Sequence, residues 1–211
     1  MTDRYDIYGN IEDQYQPGSE SRVLKNKLDI SDPELVDALE QELLVDAEIK
    51  AIENLTLDFH FTKAYIYELH GIWLGDLYEW AGRPRSVGIQ KAEITYCAPE
   101  FIDREMDKFE KVILSKYTPC SFSDSHEIAH AIAIVHGEFE IIHPFREGNG
   151  RLGRLIASLM AKQAGYTVPN LSSHIKENWR RYIDGLTEAW GGHYDILTEV
   201  FEDILIQEDA E

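Results

Sequence analysis

Residues 143–154 bring together the residue types that phosphate chemistry uses. They read His-Pro-Phe-Arg-Glu-Gly-Asn-Gly-Arg-Leu-Gly-Arg, and the apolar residues that follow recur at helical spacing. A Gly-Asn-Gly turn at a helix N-terminus can expose successive backbone N–H groups to an anion. Arg151 and Arg154, three residues apart, can bind one anion, and His143 beside them can act as a base. This catalytic loop (residues 143–154) predicts a phosphate-binding site, with a polar loop and solvated arginines as the alternative.

A second motif, His126-Glu127-Ile128-Ala129-His130, matches the H-E-x-x-H signature of zinc metalloproteases. His136 lies ten residues after His126, where one class of these enzymes keeps a third ligand. That class needs a glycine between them to turn the chain, and Ala133 stands at that position. The apolar residues around the motif are typical of a core helix, in which a histidine more often satisfies hydrogen bonds than binds metal. We therefore rank a zinc metalloprotease last among the functions considered.

The composition indicates a single globular domain without a membrane span. The chain has 211 residues, 44% of them hydrophobic, and no apolar run of the length that a bilayer requires. The polar residues at the start, Met1–Tyr15, do not resemble a signal peptide. Cys97 and Cys120 form neither a disulfide framework nor a metal-binding spacing, so we expect a cytoplasmic protein, with a secreted effector as the alternative.

The charge of the chain narrows the choice of partners. It carries 39 acidic and 20 basic residues, which gives a formal net charge of −19. Broad DNA or RNA binding needs a basic face for the phosphates, so we expect no nucleic acid partner. Against this acidic background the arginines of the catalytic loop stand out, and a locally positive pocket suits a small polyphosphate.

Helical spacing of apolar residues extends over most of the chain. An N-cap followed by proline, Ser31-Asp32-Pro33-Glu34, marks a first helix that should run to about Asn54. Further helices are expected over about 58–74, 98–115, 123–142, 150–165, 176–188 and 194–206. After the turn Gly82-Arg83-Pro84-Arg85, alternation over residues 87–96 predicts a short hairpin. We predict an all-α fold with one small β-hairpin, preceded by a loosely ordered arm over residues 1–24.

The catalytic loop matches H-x-F-x-[D/E]-G-N-G-R-x-x-R, the signature of Fic-domain proteins, without a mismatch. The resemblance continues outside the loop. Residues 75–85 resemble the segment that leads into the family's flap, residues 87–101 resemble the flap hairpin and the helix after it, and residues 26–30 resemble an N-terminal segment of bacterial members. The chain is thus identified as a member of the mostly helical Fic/Fido fold, with a Fic domain over residues 25–211.

Fic proteins typically transfer AMP from ATP to a Ser, Thr or Tyr hydroxyl of a target protein and release pyrophosphate. The resemblance therefore implies a protein adenylyltransferase, a nucleotidyltransferase that uses Mg²⁺ and ATP. It makes His143 the general base, Glu147 the Mg²⁺ ligand and Arg154 the partner of the terminal phosphate. The other phosphate-binding residues that it implies are Gly148, Asn149, Gly150 and Arg151. Phe145 is expected to anchor the loop in the core.

The hairpin, a flap over about residues 83–97, has an implied task of its own. In the family such a flap holds a segment of the target protein as an extra strand through backbone hydrogen bonds. The residues implied in target docking are Val87, Gly88, Ile89 and Lys91. The alternative is an edge hairpin that has no partner and whose charged residues discourage other strands from pairing with it.

Many Fic proteins are restrained by a helix that carries [S/T]-x-x-x-E-[G/N], whose Glu pairs with the last arginine of the loop. Thr198 and Glu202 have this spacing, but Asp203 follows where Gly or Asn is expected, and the apolar residues around them indicate a packing stripe. The chain therefore resembles members restrained by a separate antitoxin chain, as in toxin–antitoxin pairs, or members without restraint. Two alternative functions stay open: a Fic-fold transferase that uses another nucleotide or phosphate donor, and an inactive protein-binding module.

Overall fold

Helices make up most of the chain. The computed structural model describes residues 10–91, 94–167 and 171–207. The helices are α1 (Pro33–Asn54), α2 (Lys63–Leu74), α3 (Pro99–Lys108), α4 (Ser115–Tyr117), α5 (Ser125–Ile142), α6 (Asn149–Gln163), α7 (Leu171–Glu177), α8 (Trp179–Ala189) and α9 (Asp195–Glu202), with a π-helical stretch over Phe109–Leu114. The predicted mostly helical fold is confirmed. Within the described ranges, no helix is both long and apolar enough to cross a bilayer.

Two pairs of very short strands complete the fold. β1 (Gln90–Lys91) and β2 (Ile94–Thr95) pair antiparallel and form the expected hairpin. β3 (Tyr166–Thr167) and β4 (Ile206–Gln207) also pair antiparallel. The sequence does not predict the second pair, because two residues are too few to show the alternation that marks a strand.

Side-chain caps fix where helices begin. Asp32 caps α1 by accepting a hydrogen bond from the backbone N–H two residues later (2.9 Å). The second helix begins after Thr62, and not at the expected residue 58, because this side chain caps it by accepting from the N–H of Tyr65 (3.1 Å). Just before the cap, the N–H of Phe61 donates to the hydroxyl of Thr118 (3.0 Å), which holds the chain outside the helix.

Helix α5 runs through the core. The side chains of Ile132, Val135 and Phe139 are fully buried, and α6, α8 and α9 pack against the helix. Because full burial of a large apolar side chain stabilises the fold by about 1.5–3 kcal/mol, α5 is anchored along its length. The residues at its two ends are therefore held in fixed places.

Two helices replace the one expected over residues 176–188. α7 and α8 meet at Asn178, whose backbone N–H and side-chain amide both donate to the carbonyl of His174 (2.9 and 3.0 Å). Since these bonds close the last turn of α7, the chain starts again as α8 at Trp179. The helix expected over 194–206 ends at Glu202, and after a turn the chain continues into β4 at Ile206.

The described part of the N-terminal arm, residues 10–24, is more tightly held than its polar composition indicates. A short 3-10 helix covers Ile11–Asp13, and the backbone pairs at Tyr15 and Leu24. The buried hydroxyl of Ser19 donates to the carbonyl of Gln16 (2.8 Å). Hydrogen bonds of this kind satisfy polar groups that the composition suggests would face water, so the expectation of loose order does not hold for these residues.

Candidate active site

His143 ends helix α5 in a left-handed conformation. Its φ is +52°, and its N–H donates to the carbonyl of Phe139 (2.9 Å), which closes the last turn of the helix. Pro144 follows and cannot continue a helix. A left-handed backbone costs a non-glycine residue about 1–2 kcal/mol, so the surrounding contacts must hold His143 in place. The side chain is mostly enclosed, with 18% of its surface exposed.

Two neighbours fix the imidazole of His143. The ring of Tyr96 stacks on it, with 3.9 Å between ring centroids and 19° between the planes. Its Nδ1 atom lies 3.3 Å from the carbonyl oxygen and 3.5 Å from carboxylate Oε2 of Glu140, one turn earlier in α5. Sequence reasoning missed both neighbours. The three-residue spacing from Glu140 to His143 on a predicted helix is the signal that could have found the acid.

The side chain of Asn149 stabilises the loop between α5 and α6. Its Oδ1 accepts from the N–H of Phe145 (2.9 Å), and its Nδ2 donates to the carbonyl of the same residue (2.8 Å). The ring of Phe145 is buried and stacks on His70 with 3.8 Å between centroids, as expected of a loop anchor. The Asn149 amide is therefore committed to the loop, which leaves the backbone N–H of this residue for a phosphate.

Gly148 begins α6 in a conformation that favours glycine. Its φ is +87°, and a Cβ atom on it would lie 2.7 Å from the ring of Trp73. The next three N–H groups, of Asn149, Gly150 and Arg151, lie at the start of the helix, where no intrahelical carbonyl can accept them. In the described part of the chain, no other acceptor takes these three N–H groups, as an anion site requires.

Arg151 is paired with two acids. Its Nη2 lies 2.5 Å from Oε2 of Glu40 in α1 and 3.5 Å from Oε1 of Glu147. The guanidinium carbon also lies 4.8 Å from the centre of a Trp73 ring. Glu40 is buried and accepts from the hydroxyl of Tyr78 (2.6 Å), so it is held firmly. Nothing in the sequence marks Glu40 as a site residue, because it lies in a distant helix whose apolar spacing indicates only packing.

Arg154 contacts a different part of the molecule. Its Nε donates to the hydroxyl of Ser172 in α7 (3.1 Å), whereas Arg151 contacts α1. The structure thus does not bring the two guanidinium groups to one acceptor. Each guanidinium group has five N–H donors, so both arginines keep donors for an anion beside their present partners.

Glu147 is a half-exposed acid of the catalytic loop, with 49% of its side-chain surface exposed. Its Oε1 accepts from the N–H of Gly148 (2.9 Å). Among the described residues, no group of three or more His, Cys, Asp or Glu side chains could hold a metal ion. A metal at Glu147 would therefore take most of its ligands from substrate phosphates and water, which is how Mg²⁺ commonly binds.

Arg85 connects the flap to the catalytic loop. Its backbone N–H donates to the carbonyl of Pro144 and its Nε to that of His143 (2.8 Å each). Its Nη1 and Nη2 donate to the carbonyls of Val87 (2.7 Å) and Cys97 (2.5 Å), which lie on opposite sides of the hairpin. Burial lowers the pKa of this guanidinium, but an arginine stays charged in proteins. The sequence indicates only a turn at Arg85, so this role is missed.

The predicted docking residues of the flap differ in their surroundings. Val87 is buried and its carbonyl accepts from a guanidinium, so it belongs to the base of the flap. Gly88 is exposed, and a Cβ atom there would meet nothing within 4 Å. The carbonyl of Ile89 accepts from the N–H of Tyr96, the residue that follows β2 (3.3 Å). The side chain of Lys91 and residues 92–93 lie outside what the structure describes.

The histidines of the H-E-x-x-H motif contact neighbouring helices. The Nδ1 of His126 lies 3.1 Å from Oε2 of Glu202, and the Nδ1 of His130 lies 3.0 Å from the hydroxyl of Thr198, both in α9. His136 is buried and contacts α8. The three histidines thus have separate partners and no shared position for zinc in the described structure. The motif match has a structural explanation.

A mostly helical domain with the complete H-x-F-x-[D/E]-G-N-G-R-x-x-R loop at the junction of two core helices has the features of a Fic domain. Residues 60–161 match the Fic/DOC family. These residues of the chain form a Fic domain.

Three relatives illustrate the likeness. The chain is 29% identical over 186 residues to the probable protein adenylyltransferase y4lH of Sinorhizobium fredii, covering 88% of this chain and 92% of that protein. It is 28% identical over 181 residues to the protein adenylyltransferase VbhT of Bartonella schoenbuchensis, covering 85% of this chain but 36% of VbhT. The crystal structure of BepC, a VirB-translocated effector of Bartonella tribocorum with bound AMPPNP, has a TM-score of 0.71 at 25% identity and covers 88% of this chain and 93% of BepC.

Proposed function

We propose that the protein is a protein adenylyltransferase, which transfers AMP from ATP to a Ser, Thr or Tyr hydroxyl of another protein. One observation carries the proposal. A base and an anion site share one junction, because α5 ends in His143 and α6 begins with the free N–H groups of residues 149–151. The relatives named as protein adenylyltransferases support this activity, and the AMPPNP bound to BepC supports ATP as the donor.

Each residue of the loop then has a chemical role. A protein hydroxyl is a weak nucleophile near neutral pH, so His143 accepts its proton while the hydroxyl oxygen attacks the α-phosphorus of ATP. The bond between that phosphorus and the bridging oxygen breaks, and its electron pair leaves with pyrophosphate. The N–H groups of residues 149–151 and the guanidinium groups of Arg151 and Arg154 stabilise the negative charge on the phosphates. We assign the terminal phosphate to Arg154.

Mg²⁺ is the metal that we propose for this site, with Glu147 as its protein ligand. Both partners of the carboxylate among the described residues contact Oε1, so Oε2 faces neither of them. Bound there with the substrate, the ion would neutralise charge on the phosphates. Glu147→Gln should raise the Mg²⁺ concentration that half-maximal transfer requires. An unchanged Mg²⁺ titration would contradict this assignment.

A panel of donors tests the proposed reaction. The protein is incubated with Mg²⁺ and each nucleoside triphosphate, labelled at the α-phosphate, together with a cell lysate that supplies target proteins. We expect label on protein with ATP and none with the His143→Ala variant. Label from a different nucleotide alone would replace AMP by another donor. No label from any donor would favour the inactive protein-binding module.

We further propose that the flap binds the target segment as an extra strand. The carbonyl of Ile89 accepts from the N–H of Tyr96, the residue after β2. Neighbouring residues of an extended segment point their backbone groups to opposite sides, so we expect the N–H of the exposed Gly88 to face away from β2. Gly88→Pro removes this N–H and should lower target labelling, whereas the matched variant Gly88→Ala keeps it and should not. Equal labelling by the two variants would contradict docking at this edge.

We also propose that an inhibitory glutamate, where one is used, comes from a separate antitoxin chain. The internal candidate, Glu202, contacts His126 at the start of α5, and the 18 residues of that helix place it about 25 Å from His143. Glu202→Gly should therefore leave self-modification unchanged, and a strong rise would place the restraint inside this chain. The free thiols Cys97 and Cys120 support action in a reducing cytoplasm, with secretion as the alternative that BepC suggests.

A further inference from the structure

We propose that Glu140 is a positioning residue for His143, which keeps the proton of the neutral imidazole on Nδ1 so that Nε2 receives the proton of the target hydroxyl. The inference rests on the proposed function, because it assigns a role within that reaction. Its structural part, the state of the imidazole, holds whichever nucleotide is the donor. The two parts can therefore be tested separately.

The atoms around Nδ1 of His143 determine where its proton lies. The carbonyl oxygen of Glu140 is 3.3 Å away, and Oε2 of the same residue is 3.5 Å away. A carbonyl and an ionised carboxylate can only accept hydrogen bonds, so Nδ1 must be the donor. The Tyr96 ring stacked on the imidazole keeps the ring plane fixed. The neutral side chain consequently has an unprotonated Nε2, which is the form that a general base requires.

The neighbours of Glu140 favour its ionised form although the side chain is buried. Burial raises the pKa of this carboxyl, but the hydrogen bond with His143 and the positive charge of Arg154 lower it by more, so the net pKa lies below its ordinary value. The groups that face it come from three helices: both histidines from α5, Arg154 from α6 and the neutral Tyr182 from α8. These contacts therefore favour the ionised form of the carboxyl.

A purely structural role does not explain an acid at this position. The Oε1 atom of Glu140 is buried and has no hydrogen-bond partner among the described residues. An unsatisfied buried polar atom costs about 1–3 kcal/mol, and an apolar side chain in this core helix would avoid the cost. Ionisable groups in such unfavourable surroundings cluster where a reaction needs them.

Gly153 makes room for this carboxylate. A Cβ atom at Gly153 would lie 2.7 Å from Oε1 of Glu140 and 3.1 Å from Nδ1 of His136. The backbone of Gly153 is helical, so conformation alone does not require glycine there. Even one methyl group would displace the carboxylate. Gly153→Ala is therefore a second variant that moves the acid without changing its chemistry.

The carboxylate also serves the reaction after the proton has moved. Once Nε2 of His143 has taken the proton, the imidazolium carries a positive charge 3.5 Å from Oε2 of Glu140. The arrangement resembles the acid that orients the histidine in a serine hydrolase and stabilises its charged form. General base catalysis contributes about 10²–10⁴-fold, so the loss of orientation and charge should remove about 10- to 100-fold.

Two readouts test the role of Glu140. The first compares Glu140→Gln with Glu127→Gln, a matched change of an acid at the other end of α5. We expect the first variant to lower kcat for AMP transfer about 10- to 100-fold and to change the KM for ATP by a smaller factor, because Glu140 faces Arg154 but does not contact the loop's N–H groups or Arg151. The Glu127 variant should equal the parent. A kcat equal to the parent in Glu140→Gln, or a rise in KM with kcat unchanged, would overturn the role.

The second readout is ¹⁵N nuclear magnetic resonance of the imidazole, with the His143 signal identified by its loss in His143→Gln. We expect the Nδ1–H form in the parent and a mixture of both forms in Glu140→Gln or Gly153→Ala. An Nε2–H form in the parent would overturn the proposal even if the variants do not fold. The Nδ1–H form in a parent that transfers no nucleotide would reject the proposed function and leave the positioning intact.

Discussion

At the N-terminal end of α5, His126 and His130 lie one turn apart and contact side chains of α9. At the C-terminal end of the same helix, Glu140 and His143 also lie about one turn apart, but their contacts converge on each other and on the flap. Both ends therefore carry histidine and glutamate at helical spacing. The first end matches a known metal signature and serves packing. At the second end the Glu140–His143 pair matches no metal signature, but His143 begins the catalytic loop and is the proposed base.

The surroundings of each end explain the difference. His126 pairs with Glu202 at the surface, where water screens the charges. His143 ends the helix beside the start of α6, where a glycine turn and unpaired N–H groups provide an anion site. Residue types and spacing are thus similar at both ends, and the neighbouring helix decides which end can react.

The largest effect should follow removal of the base. His143→Ala should lower AMP transfer about 10²–10⁴-fold, as expected for a general base. His130→Ala, the same change at the other end of α5, should keep most of the activity because its side chain contacts Thr198 and Tyr194, which lie outside the catalytic loop. The initial rate of label transfer measures both. Comparable losses in the two variants would remove the distinction between the ends of the helix.

Among the glycines of the catalytic loop, Gly148 should tolerate substitution least. Gly148→Ala should lower the free energy of unfolding by about 2–4 kcal/mol, since a left-handed backbone is strained and the new methyl group overlaps the Trp73 ring. Gly165→Ala is the matched control, because its φ is +77° but nothing lies within 4 Å of an added Cβ. Urea unfolding compares them. An equal loss would show that the Trp73 contact has no energetic weight.

Substitution of Arg85 should have a moderate effect, because this residue connects the flap to the C-terminal end of α5 and not to the N-terminal end. Arg85→Lys keeps the charge but loses the planar set of donors, and should lower the free energy of unfolding by about 1–3 kcal/mol together with the transfer rate. Arg104→Lys is the control, since this arginine is exposed and pairs with the adjacent Glu105. Thermal unfolding and the transfer assay give the comparison. Full activity in Arg85→Lys would contradict the proposed connection.

The smallest effect should follow a substitution at the N-terminal end of α5. The hydrogen bond to Glu202 and its charge raise the pKa of His126. A pKa raised in the folded state stabilises the protein below the unfolded pKa of about 6.5, and this contribution disappears as the pH rises through the folded pKa. His126→Gln should therefore slightly lower the Tm at mildly acidic pH and leave it unchanged at alkaline pH. A difference in Tm that grows with pH would have the wrong sign.

Local patterns account for much of the fold and for the loop. Helical spacing predicts α1, α5 and α6 closely, and the catalytic loop is recognisable because its residues are consecutive. Asn149 is a partial exception, since its type indicates phosphate binding while its amide holds the backbone of Phe145. Which of its groups faces a ligand depends on packing, which a linear pattern does not contain.

The missed residues act across large separations in the chain. Glu40 reaches Arg151 from another helix, and Arg85 reaches His143 from the base of the flap. Each lies in a segment whose local pattern already has a sufficient explanation, a packing helix or a turn. Their roles arise only when the fold brings them to the junction of α5 and α6, so no spacing rule could find them.

Transfer from doubly labelled ATP tests the central claim most directly. The protein and its His143→Ala variant are incubated with ATP that carries distinguishable labels at the α- and γ-phosphates, and the labels on protein hydroxyl groups are counted. We predict the α-label alone on protein, the γ-label in released pyrophosphate, and about 10²–10⁴-fold slower transfer of the α-label by the variant. Transfer of the γ-label, or equal transfer of the α-label by the variant, would contradict a His143-dependent adenylyltransferase.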